Sequence, residues 1–248
     1  MSAPTIKALL FDCDNTLVLS EELAFEGCAE LINEICKTKG LDILPFSGET
    51  LIKEFVGQNF RGMMGTLQKQ HGLQLTPDEL ETYVKREEDV VIAKLKSSLR
   101  PCAGVEAELK RLGGGSNKYT MAVVSSSALR RVQASLDKAG FSPYFGDRVY
   151  SAATSIDPPT SKPDPAIYLH AMKQLGVRPE ECVAIEDSRS GTLSAARAGI
   201  KVVGYVGPYA EDLRPMMEKT LLEAGAVVVM RDWAEFPACL DKIASGAI

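Results

Sequence analysis

The stretch "FDCDNTLV" at residues 11–18 sets Asp12 and Asp14 one residue apart, directly after the apolar run Ile6 to Phe11. Two carboxylates this close repel one another, and burying them is costly unless a proton or a cation intervenes. A hard divalent cation such as Mg²⁺ suits them, because it takes oxygen ligands and commonly bridges protein carboxylates to substrate phosphate. A second acidic pair, Glu186 and Asp187, closes the β-rich run "CVAIED", so two pairs at two strand ends could share one metal. The plainer alternatives stay open: Asp-x-Asp also occurs in turns, and Asp187 could cap a helix beginning near Ser190. In "VVSSSALR", Ser125 ends an apolar run while Ser126 and Ser127 precede a helical pattern, where hydroxyl and N–H groups receive phosphate oxygens or simply cap the helix. In "TSKPDP", Pro163 and Pro165 stiffen the chain around Lys162, which is either a surface lysine or a fixed cation for a phosphoryl group.

These residues need elements to hold them. Short β-rich runs alternate with helical patterns from Met1 to Leu17 and again from about Pro101: "IKALLF", "TMAVVSS" before "ALRRVQASLDKAG", "CVAIE" before "TLSAARAG", and "IKVVGYV". That alternation predicts a parallel sheet covered by helices on both faces. In such sheets ligands collect beyond the carboxyl ends of the strands, where all four polar segments are expected. Asp164 followed by Pro165 reads as an N-cap and first helical residue, and Gly140, Gly176 and Gly199 stand just past helices. Between about Val18 and Arg100 no β-rich run occurs, and Ala24, Cys28, Leu31, Ile32 and Ile35 recur at helical spacing. Thr76, Pro77 and Glu79 form a capping box that opens a helix running to about Ser98. The segment "GGGSN" at 113–117 reads as a loop, since no Lys-Ser or Lys-Thr pair follows it.

Composition narrows the classes of partner. The 248 residues are 45% hydrophobic and 25% charged with a formal net charge of −5, and no window is rich in Lys or Arg. Neither nucleic acid nor an anionic membrane surface is expected as a partner. The apolar runs fall short of the ~20 residues of a membrane span, and no secretory leader pattern opens the chain. Six cysteines without a CxxC pair point to free thiols in a reducing, cytoplasmic compartment. The two histidines, His71 and His170, have no second candidate ligand or nucleophile beside them, which disfavours zinc and phosphohistidine chemistry.

In the order "DCDNT", "VVSSS", "SKPDP" and "AIEDS", the chain resembles the haloacid dehalogenase superfamily along essentially its whole length. The resemblance implies a Rossmann-like α/β core at 1–17 and 100–248 with an inserted α-helical cap, of the C1 type, at 18–99. It makes Asp12 the nucleophile and Asp14 the general acid and base. Ser125, Ser126 and Lys162 would bind phosphate, and Asp12, Asp14, Glu186 and Asp187 would hold Mg²⁺. The implied activity is hydrolysis of a small phosphorylated metabolite such as a sugar, sugar-acid or polyol phosphate.

Asp14 argues against the dehalogenase branch, whose halide leaving group needs no proton. A phosphosugar mutase of the β-phosphoglucomutase type remains an alternative, although Ala24 falls about where that enzyme carries a cap histidine; a non-catalytic phosphometabolite-binding protein is another. In "EFVGQNFRG", Gly57, Gln58 and Arg61 are candidate substrate contacts, or equally parts of a helix turn and a surface. Asn15 stands where the family most often has Gly, and tolerates the unusual backbone angles such a turn needs.

Overall fold

A computed structural model describes residues 5–55, 58–114 and 119–248. The chain divides into two compact units, Met1–Leu19 with Arg100–Ile248, and Ser20–Leu99.

The first unit contains β1 (Ala8–Phe11), β2 (Val18–Leu19), β3 (Arg100–Pro101), β4 (Thr120–Ser125), β5 (Val149–Ser151), β6 (Cys182–Glu186), β7 (Lys201–Tyr205) and β8 (Ala226–Met230). Six of these form one parallel sheet in the order β5-β4-β1-β6-β7-β8. The chain runs outward from β1 through β4 to β5, then returns to β6 and runs the other way, so a topological switch point lies at β1. The short β2 and β3 pair antiparallel outside this sheet.

Strand β1 is wholly buried, as continuous apolar strands with both faces covered should be. Its side chains alternate between two cores. Leu10 joins Ala122, Ile167, Tyr168, Ala184 and Val202 in one buried cluster. Phe11 meets Phe145, Trp233 and Phe236 at centroid distances of 5.8, 6.1 and 6.5 Å. Burial of each such side chain contributes about 1.5–3 kcal/mol, which makes the sheet a rigid base for residues at its edge.

Among the described residues of Ser20–Leu99 the regular elements are helices: α1 (Glu21–Thr38), α2 (Gly48–Glu54), α3 (Phe60–His71) and α4 (Pro77–Ser98). Gly27 of α1 faces α4, where a Cβ would make ordinary van der Waals contact with Val90 and Val91 at 3.5 Å. The capping box at Thr76 and Glu79 forms with both hydrogen bonds in place.

The remaining helices are α5 (Val105–Gly113), α6 (Leu129–Ala139), α7 (Ser142–Phe145), α8 (Ala166–Leu175), α9 (Arg189–Arg197), α10 (Arg214–Glu223) and α11 (Phe236–Ala244). Two local expectations shift. Helix α8 starts one residue later than Asp164–Pro165 suggested, with Pro165 at the N-cap and Asp164 Oδ1 accepting from the Ala166 N–H at 2.8 Å. Helix α9 is capped by Ser188 rather than Asp187, its hydroxyl accepting from the Gly191 N–H at 3.1 Å. Of "GGGSN", Gly113 ends α5 while residues 115–117 lie outside the described residues. No helix among the described residues is long and apolar enough to cross a membrane.

Candidate active site

Asp12 is the first residue beyond β1, and its N–H extends the sheet by donating to the Ile185 carbonyl at 3.0 Å. The chain must then turn sharply. Asn15 adopts φ +56°, its N–H donating to the Val18 carbonyl at 2.7 Å, so this residue does supply the left-handed angle otherwise left to glycine. The turn leaves Asp12 buried and Asp14 partly exposed, so the two carboxylates have different surroundings.

Lys162 is the hub of the site. Its buried Nζ donates to Asp12 Oδ1 at 2.6 Å, Glu186 Oε1 at 2.6 Å and the Val124 carbonyl at 2.8 Å, which uses all three of its protons. The Lys162 backbone N–H donates to Ser126 Oγ at 3.1 Å, fastening its loop to the end of β4. Beneath it lies Tyr168 of α8, with the ring centroid 5.4 Å from Nζ and the hydroxyl donating to Glu186 Oε1. A cation over an aromatic face is stabilised by the ring quadrupole, most of all where water is excluded.

The other groups close around this hub. Ser127 Oγ donates to Asp14 Oδ2 at 2.7 Å, and Ser125 Oγ accepts from the Ser127 N–H at 3.0 Å. Asp187 accepts from Thr16 Oγ1 on Oδ1 at 3.3 Å and from the Tyr209 hydroxyl on Oδ2 at 3.3 Å. The structure thus brings together Asp12, Asp14, Ser125, Ser126, Lys162, Glu186 and Asp187 at the carboxyl edge of adjacent strands.

Electrostatics follow from burial. Burial raises the Asp12 carboxyl; Lys162 opposes that and Asp14 adds to it. Burial likewise pushes Glu186 up to about 7 against the pull of Lys162. For Lys162 burial acts downward, but Asp12 and Glu186 overcome it and hold the ammonium charged. Cys13, between the two aspartates, is held well above its ordinary value by burial and then by Asp14 and Asp12, so it stays a thiol.

Four carboxylates facing one ammonium leave negative charge uncompensated in a low-dielectric site. Oxygens of Asp12, Glu186 and Asp187 lie within 4.8 Å of one another, all buried, and Glu186 Oε2 has no hydrogen-bond partner among the described residues. An all-oxygen donor set with surplus negative charge fits a hard divalent cation.

The helical unit holds the remaining candidates. Gly57 lies outside the described residues. Gln58 Oε1 accepts from Thr66 Oγ1 at 2.8 Å, and Arg61 in the first turn of α3 forms a two-pronged pair with Glu81 of α4 at 2.5 and 2.9 Å. His170 packs edge-on against Tyr150 at 5.6 Å, a packing role.

Sequence reasoning missed Tyr168, Thr16 and Tyr209 as contacts of the site. Thr16 was within reach, standing two residues after Asp14. Tyr168 and Tyr209 read as ordinary apolar positions, because a phenol that packs and one that also donates look the same in one dimension.

Residues 6–199 match the family model described as haloacid dehalogenase-like hydrolase. The chain is 32% identical over 198 residues to a 6-phosphogluconate phosphatase of Escherichia coli K12, covering 79% of this chain and 81% of that one. It is 29% identical over 227 residues to a phosphorylated carbohydrates phosphatase of Thermotoga maritima, covering 91% and 94%. A HAD family hydrolase from Deinococcus radiodurans R1, solved with bound phosphate and sodium, is similar at TM-score 0.68 and 28% identity, over 98% of this chain and 97% of that one.

Proposed function

The chain belongs to the haloacid dehalogenase-like hydrolases, and on that premise we propose that it is a Mg²⁺-dependent phosphatase acting on a small phosphorylated metabolite through an aspartyl phosphate on Asp12. The observation that carries this reading is the buried Lys162 ammonium lodged between Asp12 and Glu186 at 2.6 Å from each. A fixed cation beside a carboxylate at a strand end is what a nucleophile facing a phosphoryl group requires.

Oδ1 of Asp12 is engaged by Lys162, so attack on phosphorus falls to the other oxygen. As the new P–O bond forms, the bond to the substrate oxygen breaks, and the Asp14 carboxyl, steered by Ser127, gives that oxygen its proton. Asp14, now a carboxylate, then takes a proton from the water that attacks the aspartyl phosphate, which releases inorganic phosphate and restores Asp12. Ser125 and Ser126 receive the equatorial oxygens and the adjacent Lys162 ammonium offsets their charge, where positioning and electrostatics supply most of the catalysis. Mg²⁺ held by Asp12, Asp187 and the Asp14 carbonyl, with Glu186 beside it, would neutralise charge on the transferring group.

Substrate selection falls to the helical unit as a cap, with Gln58 and Arg61 as candidate contacts. Arg61 would meet an anionic leaving group by exchanging Glu81 for it. A sugar, sugar-acid or polyol phosphate is supported by relatives named for 6-phosphogluconate and phosphorylated carbohydrates. Buried Ala24 in α1 offers no imidazole for a mutase, so water is the acceptor. Six buried cysteines, none in a disulfide, accord with a cytoplasmic enzyme.

The test is phosphate release by wild type and Asp12→Asn, with and without Mg²⁺, across phosphorylated sugars, sugar acids, polyols, nucleotides and glycerol phosphates. Release that needs Mg²⁺ and vanishes in the variant is expected, with sugar-type esters leading. Isomerisation of glucose 1-phosphate without release would replace the phosphatase by a mutase.

A further inference from the structure

We propose that Tyr209 is a positioning residue that orients the Asp187 carboxylate for a divalent cation and so sets part of the site's cation affinity. The inference rests on the metal reading above. Tyr209 lies between β7 and α10, beyond residue 199 where the family match ends.

Three sets of contacts make the phenol a fixed donor. Its ring packs against the buried cluster that includes Val206 and Leu221. Its backbone is tied on both sides: the Tyr209 N–H donates to the Val206 carbonyl at 3.2 Å, and Arg214 donates from Nε to the Tyr209 carbonyl and from Nη2 to the Gly207 carbonyl, each at 3.0 Å. Val206 is in turn bound through its N–H to the Met230 carbonyl of β8 at 3.0 Å. The hydroxyl therefore reaches Asp187 from a loop clamped at four points.

At the carboxylate the contacts are complementary. Thr16, from the loop after β1, approaches Oδ1, while Tyr209, from the loop after β7, approaches Oδ2 at 3.3 Å and the Asp187 carbonyl at 3.2 Å. One donor proton shared between two acceptors gives two long, weak arms, worth little to folding. Its effect is directional: a hydroxyl on each oxygen disfavours rotation of the carboxylate about its Cβ–Cγ bond and biases its remaining lone pairs toward one orientation. Partners of metal ligands that act in this way typically change affinity by about 10–100 fold when removed. The shared, long geometry here puts the expectation near the lower end, at about tenfold.

Tyr209→Phe keeps the ring and removes only the hydroxyl. The experiment is isothermal titration of the full-length protein with Mg²⁺ alone, for wild type, Tyr209→Phe and Arg214→Lys, with metal-free thermal melts and phosphate release measured alongside. The expected result is about tenfold weaker Mg²⁺ binding in Tyr209→Phe, with a metal-free Tm close to wild type. The Mg²⁺ concentration for half-maximal rate should rise by about the same factor. Arg214→Lys loses the fork that clamps the loop while keeping the phenol, and should shift affinity in the same direction by less; it serves as the deciding variant if Tyr209→Phe does not fold. Mg²⁺ affinity within twofold of wild type would overturn the inference while leaving the phosphatase reading intact. Wild type that binds no Mg²⁺ yet releases phosphate would overturn the metal reading and this inference with it.

Discussion

Gly191 occupies the first turn of α9, where helix propensity alone says that alanine should stabilise by about 1 kcal/mol. The site says the opposite. A Cβ at this position would lie 2.6 Å from Glu186 Oε1 and nearer still to Oε2 and Cδ, whereas ordinary contact begins at 3.4 Å. Glu186 has no easy retreat, because Oε1 is pinned by Lys162 and Tyr168 and the side chain is fully buried. Relief requires the carboxylate to shift by about an ångström, which takes it out of hydrogen-bond reach of Lys162. Overpacking costs about 1–3 kcal/mol, and separating a buried ion pair about 3–5 kcal/mol if complete. Set against the propensity gain, Gly191→Ala should destabilise by about 2–4 kcal/mol, a fall in Tm of roughly 5–15 °C for a chain of this size. Lys162 would lose one of its three anchors, and misplacement on this scale should lower kcat by about 10² fold. Thermal melts paired with phosphate-release kinetics measure both effects. Adding Glu186→Asp to Gly191→Ala shortens the acid by one methylene and should recover part of the lost Tm. A single variant as stable as wild type and fully active would refute the steric argument.

Other outcomes follow from the same geometry. Lys162→Met should destabilise by about 3–5 kcal/mol in urea titrations without metal, because Asp12 and Glu186 are left buried and unpaired. Adding Glu186→Gln should return part of that loss. Asp14→Asn should lower kcat by about 10²–10⁴ fold in steady-state assays while leaving Tm near wild type, since Asp14 is only partly buried. Away from the site, hydrogen bonding from Lys7 and then from Arg178 holds Glu181 at about 2, below its ordinary value of 4.5. A depressed carboxyl stabilises the fold above the unfolded value and ceases to do so as pH falls through the folded one. Glu181→Gln should therefore melt below wild type at neutral pH, with the gap closing between about pH 4.5 and pH 2 in paired thermal melts.

What could be read in one dimension follows a physical division. Strands β1, β4, β6 and β7 are legible because both sheet faces are covered there and each needs an apolar run; β5 has only three residues at the sheet edge and leaves no run to detect. The four polar segments stand out because each ends a strand or opens a helix. Residues that support them do not. Tyr168 reaches Glu186 from within a helix whose apolar pattern it fits, and Gly191 matters only because a carboxylate folds over it. Asp187 is a plausible cap in sequence, and only the backbone path gives that place to Ser188. Arg61 looks like a free cation until α4 brings Glu81 beside it from twenty residues away.

The two-residue ladder of β2 and β3 makes Leu19 and Arg100 register partners, so the chain leaves the sheet-bearing unit and returns to it at neighbouring positions. The main chain is fastened again one step inward, where the Cys102 N–H meets the Leu17 carbonyl at 2.9 Å. In polymer terms the excursion from Ser20 to Leu99 is a loop whose ends are already tied, and each doubling of such a loop costs only about 0.6 kcal/mol. That junction makes the helical unit a cassette. A chain segment of another length could join Leu19 to Arg100 at small entropic cost without altering the strand order β5-β4-β1-β6-β7-β8.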